Sequence, residues 1–309
     1  MKSILQFFLF IVVCFAGSQA NAQKKQQKKS GSSKDEQSLI WEITGNGLTT
    51  PSYLFGTIHL ICKEDFFWNK NFEQAFLNTQ QLCLEIDMSD QMAMMSAVML
   101  MMNQDGVLLS SYFTQDEQSK LDAYLQQKIS TSLENINQLK PMFLISIFAS
   151  DMQICATGST ESYESYLLKK AQEKEFKILG IESVNAQIEA LASIPDSSII
   201  SYAKLFLNES KDNKELEKAT KQMQNLIGYY KTQNIEEIYN ITVNNQTDFN
   251  MNLNVLLNDR NEDWIPKMTD IMKNKATFFA FGAAHLSGDK GVINLLRKAG
   301  FTLKPVLSK

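Results

Sequence analysis

An α/β fold with a mainly parallel β-sheet flanked by helices is what three observations predict. The short apolar runs of the chain show little polar alternation, as in strands covered on both faces. Long helical patterns separate them, as crossover connections require. Four of the runs end in a His or Glu, which suits strands whose carboxyl ends carry a ligand-bearing edge.

Residues 38–45 (SLIWEITG) and 51–59 read as two strands joined by a turn at Asn46-Gly47-Leu48-Thr49-Thr50. Residues 63–79 have a helical pattern, and 81–88 (QLCLEIDM) form a short buried strand. Helices are expected at 90–103, 115–128, 139–153 and 161–175, then a strand at 177–182 (KILGIE). Further helices cover 184–193, 197–209, 213–231, 234–243 and 248–274. This nearly all-helical stretch, about 184–274, is expected to form a cap over the sheet. A strand at 277–281, a helix at 290–299 stopped by Gly300, and a strand at 301–306 close the domain, which runs from 38 to 309.

Residues 1–22 stand apart from that domain. Met1-Lys2, an apolar run over 4–17 and Ala20-Asn21-Ala22 make a charged start, an h-region and an A-x-A site. They read as a secretory signal cleaved after Ala22. The apolar run is too short to span a bilayer comfortably, so no transmembrane span is expected in the mature chain. Residues 23–37 (QKKQQKKSGSSKDEQ) have no apolar side chain to bury and read as a flexible linker. The expected location is therefore exported: periplasmic, secreted or cell-surface. A formal net charge of −4 gives no support for a nucleic-acid partner. Cys62, Cys83 and Cys155 remain in the exported product, enough for one internal bridge and a spare thiol. Cys83 lies in a strand and reads as a small buried hydrophobe. Cys62 and Cys155, near element ends, are the bridge candidates.

The chain has two histidines, and both lie three residues after a glycine that ends an apolar run. They are His59 in Gly56-Thr57-Ile58-His59 and His285 in Gly282-Ala283-Ala284-His285. A lone His at a strand end is more often structural, but a matched pair favours one shared site. Glu85 and Glu182 end two other strand candidates. If those strands are neighbours, two imidazoles and two carboxylates converge. That set suits a catalytic Zn, Mn, Fe or Co ion with an open position for water. Each acid has a competing reading: Asp87 shares the strand face of Glu85, and Glu182 could be an N-cap or first-turn acid for the helix beginning near Val184.

These segments, with LLNDRNEDWIPKM and FFAFGAAHLSGDKGVINLLRKAGF, resemble the TraB/PrgY/GumN family over essentially 39–306. The resemblance implies a Tiki-like metal-dependent protease, related in fold to the haem-binding ChaN and erythromycin esterase proteins. It also implies His59 and His285 as metal ligands, Glu85 as a further ligand or base, and Glu182 and Arg260 as other polar residues of the site. The implied cofactor is a divalent transition metal (Mn, Co or Zn), and the implied partner a peptide or protein substrate. A Gly-and-Asp pattern expected before the 166–175 helix is replaced by Ser162-Tyr163-Glu164-Ser165, with Glu164 a candidate substitute.

Arg260 could clamp a carboxylate or a developing oxyanion, or lie on the surface of an acidic helix. Arg260 and Trp264, four apart on one helical face, are either a stacked pair or ordinary packing. Met88, Met92, Met94, Met95, Met99, Met101 and Met102 crowd one stretch and fit core packing, a cap helix or a hydrophobic-peptide groove. The leading expectation is an exported metal-dependent hydrolase, a peptidase using metal-activated water. The alternative is a haem- or peptide-binding or regulatory protein using the same site without catalysis.

Overall fold

Four parallel strands organise the fold in this computed structural model, which describes residues 37–151, 155–208, 213–249 and 252–307. The expected signal peptide (1–22) and all but the last residue of the expected linker (23–37) lie outside the described residues. The strands are β1 (Ile40–Gly45), β2 (Ser52–Thr57), β3 (Ile61–Cys62), β4 (Gln81–Leu84), β5 (Thr160–Glu161), β6 (Lys177–Gly180), β7 (Thr277–Gly282) and β8 (Phe301–Pro305). Six of them form one sheet in the order β6-β4-β7-β2-β1-β8. Neighbours from β6 to β2 pair in parallel, and β1 is antiparallel to both β2 and β8. The sheet is therefore mixed but mostly parallel.

Burial explains that arrangement. Every residue of β2, β4 and β7 is buried, as continuous apolar strands inside a covered sheet require. Strand β8 alternates buried and exposed positions, as an edge strand with one wet face does. Successive side chains of β7 point to opposite faces. Phe278 meets Phe55, Trp68 and Phe76, while Phe281 meets Phe279 and Trp264. The sheet is thus packed on both sides by aromatic side chains from helices.

Those helices are α1 (Lys70–Leu77), α2 (Gln91–Leu100), α3 (Gln115–Ile129), α4 (Leu133–Ile136), α5 (Met142–Asp151) and α6 (Tyr163–Glu173). The second half supplies α7 (Val184–Leu191), α8 (Asp196–Leu207), α9 (Lys214–Lys231), α10 (Ile235–Phe249), α11 (Asp259–Asn274) and α12 (Val292–Lys298). Side-chain caps set several starts: Asn69 for α1, the Thr114/Glu117 capping box for α3, Ser162 for α6 and Ser183 for α7. Helix α11 has no such cap. A π-helical turn, Asn254–Asn258, runs directly into it.

Several boundaries differ from the sequence reading. The helix expected at 63–79 is a 3-10 turn at Lys63–Asp65 followed by α1, because Asn69 caps a new start. The strand expected at 51–59 stops at Thr57, and the chain turns into β3, which pairs with β5 (Ile61↔Glu161, Cys62↔Thr160). The strands expected at 81–88 and 177–182 end at Leu84 and Gly180, where the chain turns to present Glu85 and Glu182. The helix expected at 234–243 continues to Phe249, and the single helix expected over 248–274 is the π-turn plus α11.

A disulfide joins Cys62 and Cys155, with Cα atoms 5.3 Å apart and 93 residues of separation. Cys83 is buried and unpaired. The bridge and the β3–β5 ladder both fasten the segment after His59 to the segment before α6. Closing so long a loop in the unfolded chain stabilises the fold by roughly 2–5 kcal/mol. Cys62→Ser combined with Cys155→Ser should lower the unfolding free energy in urea by about that amount. Unchanged stability would show that the ladder alone holds the two segments.

Candidate active site

Each parallel strand delivers one polar residue to the carboxyl edge of the sheet. His59 lies two residues beyond β2, Glu85 one beyond β4, and Glu182 two beyond β6. His285 ends the 3-10 turn Ala283–His285 that follows β7. Because β6, β4, β7 and β2 are adjacent and parallel, the four residues share one edge, where open α/β sheets bind ligands.

The two glycines make room for each other's motif. A Cβ on Gly56 would lie 3.0–3.2 Å from Leu286 and Ala283, in the turn of the second motif. A Cβ on Gly282 would lie 3.3 Å from Glu85 Oε1, 3.7 Å from His59 Nε2 and 3.7 Å from His285 Cδ2. Glycine is favoured at 282 by the close approach of Glu85 rather than by backbone conformation, since its φ is −52°. Both imidazoles and the Glu85 carboxylate therefore border one point above the β7 backbone.

Hydrogen bonds tie these groups to three helices. Glu85 Oε1 accepts from the Gly282 amide at 2.8 Å; its Oε2 accepts from Arg260 Nη2 at 2.7 Å and Gln187 Nε2 at 3.1 Å. Arg260 donates twice to Glu182, through Nη2 to Oε1 at 2.5 Å and through Nε to Oε2 at 3.1 Å. Its Nη1 reaches the Leu256 carbonyl at 2.8 Å and His285 Nε2 at 3.3 Å. Trp264 donates to Glu182 Oε2 at 3.2 Å. Its ring lies 4.9 Å from the guanidinium and 4.5 Å from the His285 ring. His59 Nδ1 meets Glu164 Oε1 at 2.8 Å, and His285 Nδ1 meets Asn261 Oδ1 at 2.6 Å.

The carboxylate, guanidinium and imidazole side chains of this cluster are buried, so their charges depend on one another. Burial works to raise the Glu85 pKa, but the Arg260 guanidinium and the neighbouring imidazoles outweigh it and hold it at about 2. For Glu182 burial wins over the same guanidinium, and its carboxyl is shifted up. Burial also dominates at His285, pushed down to about 3 with help from Arg260 and His59. At His59 burial opposes the charged form, yet the Glu164 carboxylate outweighs it and raises the pKa.

The donor set fits a divalent transition metal in kind. Two imidazoles and a carboxylate border one point, and two buried carboxylates, Glu85 and Glu182, share a single buried guanidinium. Such an excess of buried negative charge is what a cation offsets. In spacing the set is not drawn in: His285 Nε2 and Glu85 Oε1 are 4.0 Å apart. Among the described residues no group of three or more His, Cys, Asp and Glu stands ready to hold a metal ion. Arg260 hydrogen-bonds to both His285 and Glu85 in this arrangement.

The remaining sequence candidates fall into place. Asp87 accepts from Ser89 N and Oγ, and takes no part in the hydrogen bonds of the cluster. Ser183, not Glu182, caps α7. Arg260 is not a surface residue of an acidic helix: it is 7% exposed and fully engaged. Its stack with Trp264 is real, and Trp264 is also a buried core residue, so both readings of that pair hold. The methionines divide: Met94 and Met101 are buried, while Met92, Met95 and Met99 are exposed along one side of α2. Sequence reasoning missed Asn261 and Gln187. Neither carries a compositional signal, since a single amide side chain on a helix is ordinary.

An α/β fold with a buried His-Glu-Arg cluster at the carboxyl edge of its sheet defines the class of protein. The TraB/PrgY/gumN family matches residues 39–305, and the chain belongs to that family. It is similar to a metalloprotease TIKI homolog of Nematostella vectensis, 22% identical across 88% of this chain and 68% of that one. It is also similar to metalloproteases TIKI1 and TIKI2 of Danio rerio, 24% and 21% identical across 87% and 91% of this chain and 63% of each relative. The chain thus spans about two thirds of the length of these relatives. No solved structure matches it.

Arg260→Met would strand two buried carboxylates and should destabilise the protein by about 3–5 kcal/mol. Adding Glu182→Gln should recover part of the loss in the same denaturation measurement. A single variant as stable as the parent would show that Arg260 does not balance these charges.

Proposed function

We propose that this protein is an exported metal-dependent hydrolase, a peptidase, acting at the carboxyl edge of the sheet. The observation that carries the reading is the convergence of His59 Nε2, the His285 ring and Glu85 Oε1 beside Gly282, in a cluster with excess buried negative charge. The relatives named metalloproteases support it, and so does the family. His59, His285 and Glu85 would hold the ion, with Mn, Co and Zn all compatible with this mixed N/O set. A divalent ion there supplies Lewis-acid polarisation of a carbonyl and acidifies water.

The chain's own residues do the rest. Glu182 and Trp264 fix the Arg260 guanidinium, whose N–H groups are taken up by the protein and whose positive charge stands at the edge where negative charge would develop on a substrate carbonyl. Gln187 and the Gly282 amide orient the Glu85 carboxylate. The Cys62–Cys155 bridge supports export, because such bonds persist in oxidising compartments. No helix of the described residues is long and apolar enough to cross a membrane. A peptide-binding protein without turnover is the second reading, favoured by the exposed row of Met92, Met95 and Met99.

Purified protein loaded with Mn, Co or Zn should retain about one equivalent of metal, and His59→Ala should lose it. Glu85→Gln should keep the fold and lower cleavage of an unfolded protein substrate by at least ~100-fold. Metal retention that is negligible in the parent and unchanged in His59→Ala would sink the metal reading. Peptide binding by the loaded protein with no cleavage would favour the second reading.

A further inference from the structure

We propose that Asn261 and Glu164 are positioning residues that lock His285 and His59 in the Nδ1–H tautomer, which leaves Nε2 of both rings unprotonated at the edge beside Gly282. This rests on the reading that the two Nε2 atoms help hold a metal ion. The hydrogen-bond inventory alone dictates the tautomers. Asn261 Nδ2 donates to the carbonyls of His285 at 3.3 Å and Lys290 at 2.8 Å. Those two acceptors settle which end of the amide is which. Its Oδ1, which can only accept, then faces His285 Nδ1 at 2.6 Å, so that nitrogen carries the proton.

The other ring nitrogen agrees. His285 Nε2 faces Arg260 Nη1 at 3.3 Å, a group that can only donate. The opposite tautomer would set N–H against N–H on one side of the ring and lone pair against lone pair on the other. Only one tautomer satisfies both contacts.

His59 is held by the same logic with different chemistry. Glu164 Oε1 faces His59 Nδ1 at 2.8 Å and also accepts from Thr57 Oγ1 at 2.5 Å; Oε2 accepts from Ser162 at 3.1 Å. A carboxylate ringed by donors is itself an acceptor, so Nδ1 of His59 carries a proton. Among the described residues no protein group hydrogen-bonds His59 Nε2, which lies 3.7 Å from the Cβ position of Gly282.

The two locks come from matching places in the fold. Glu164 is the second residue of α6 and Asn261 the third of α11. One is a carboxylate, which strengthens the donor power of the imidazole it supports, and the other a neutral amide. An acid at 261 would add to the negative excess of Glu85 and Glu182 and would lose both bonds to the turn carbonyls. The two motifs, alike in sequence, therefore present unequal donors.

The test begins with metal-free protein. The chain has two histidines, so long-range proton–nitrogen correlation of the imidazoles gives two ring systems. At alkaline pH both should show a protonated Nδ1 and an unprotonated Nε2. Asn261→Leu should shift the His285 ring toward the Nε2–H form, leave the His59 ring unchanged, and weaken Zn or Co binding by ~10–100-fold. Asn261→Asp, which keeps the acceptor, should retain the Nδ1–H form. A parent spectrum with Nε2–H at His285 would overturn the proposal, whether or not any variant folds. So would an Asn261→Leu spectrum and metal affinity equal to the parent's. Nδ1–H rings in a parent that binds no metal would overturn the metal reading and leave the tautomer lock standing.

Discussion

The parallel pairing of β2 with β7 is the constraint on which the site depends. Its register sets Gly56 beside Phe281 and Thr57 beside Gly282, so the two motifs leave the sheet side by side. Strand exits alone would not bring the histidines together; the chains must also approach within van der Waals contact. That requires the missing Cβ atoms, since one on Gly56 would press against Ala283 and Leu286. A register slip of one residue would send every side chain of the slipped strand to the other face. The all-apolar interior of β2 and β7 protects that register through Phe55, Phe278 and their aromatic neighbours.

Burying charge at this edge is costly unless it is balanced. Arg260 balances two carboxylates at once, and its planar fork allows that where a lysine would not. The division is unequal: Glu85 stays firmly ionised, while Glu182, despite two bonds to the same guanidinium, is shifted toward its neutral form by burial. Glu85 has three donors on its two oxygens, from Gly282, Arg260 and Gln187. The cluster thus keeps negative charge on the carboxylate that borders the same point as both imidazoles.

Much of this was legible in the sequence, and the pattern of what was not is physical. Apolar runs ending in His59, Glu85, Glu182 and His285 identified the strand ends because burial on both faces removes polar alternation. Strand lengths were overestimated at 81–88 and 177–182 because the residues that leave the sheet, such as Ile86 and Ile181, are themselves buried. The β3–β5 ladder was missed because two residues carry no period. Asn261 and Gln187 were missed for a deeper reason. They act on partners 24 and 102 residues away, and nothing in their own neighbourhood distinguishes an amide that orients a ring from one that faces water. Glu164 was visible only as an oddity at a position where the family pattern differs.

That oddity links the disulfide to the site. Glu164 supports His59 across 105 residues of chain, so the contact needs the two segments held together by something stronger than itself. The β3–β5 ladder begins two residues after His59, and β5 ends three residues before Glu164. Cys62 and Cys155 bridge the same two segments, and Tyr163 seals the join by bonding both the amide and the carbonyl of Phe67. A bridge acts on the unfolded chain, so it adds stability without changing the geometry it secures. It forms only where thiols are oxidised. In that setting the His59–Glu164 contact gains a covalent support. In a reducing one the contact depends on the short ladder and on the packing of Tyr163.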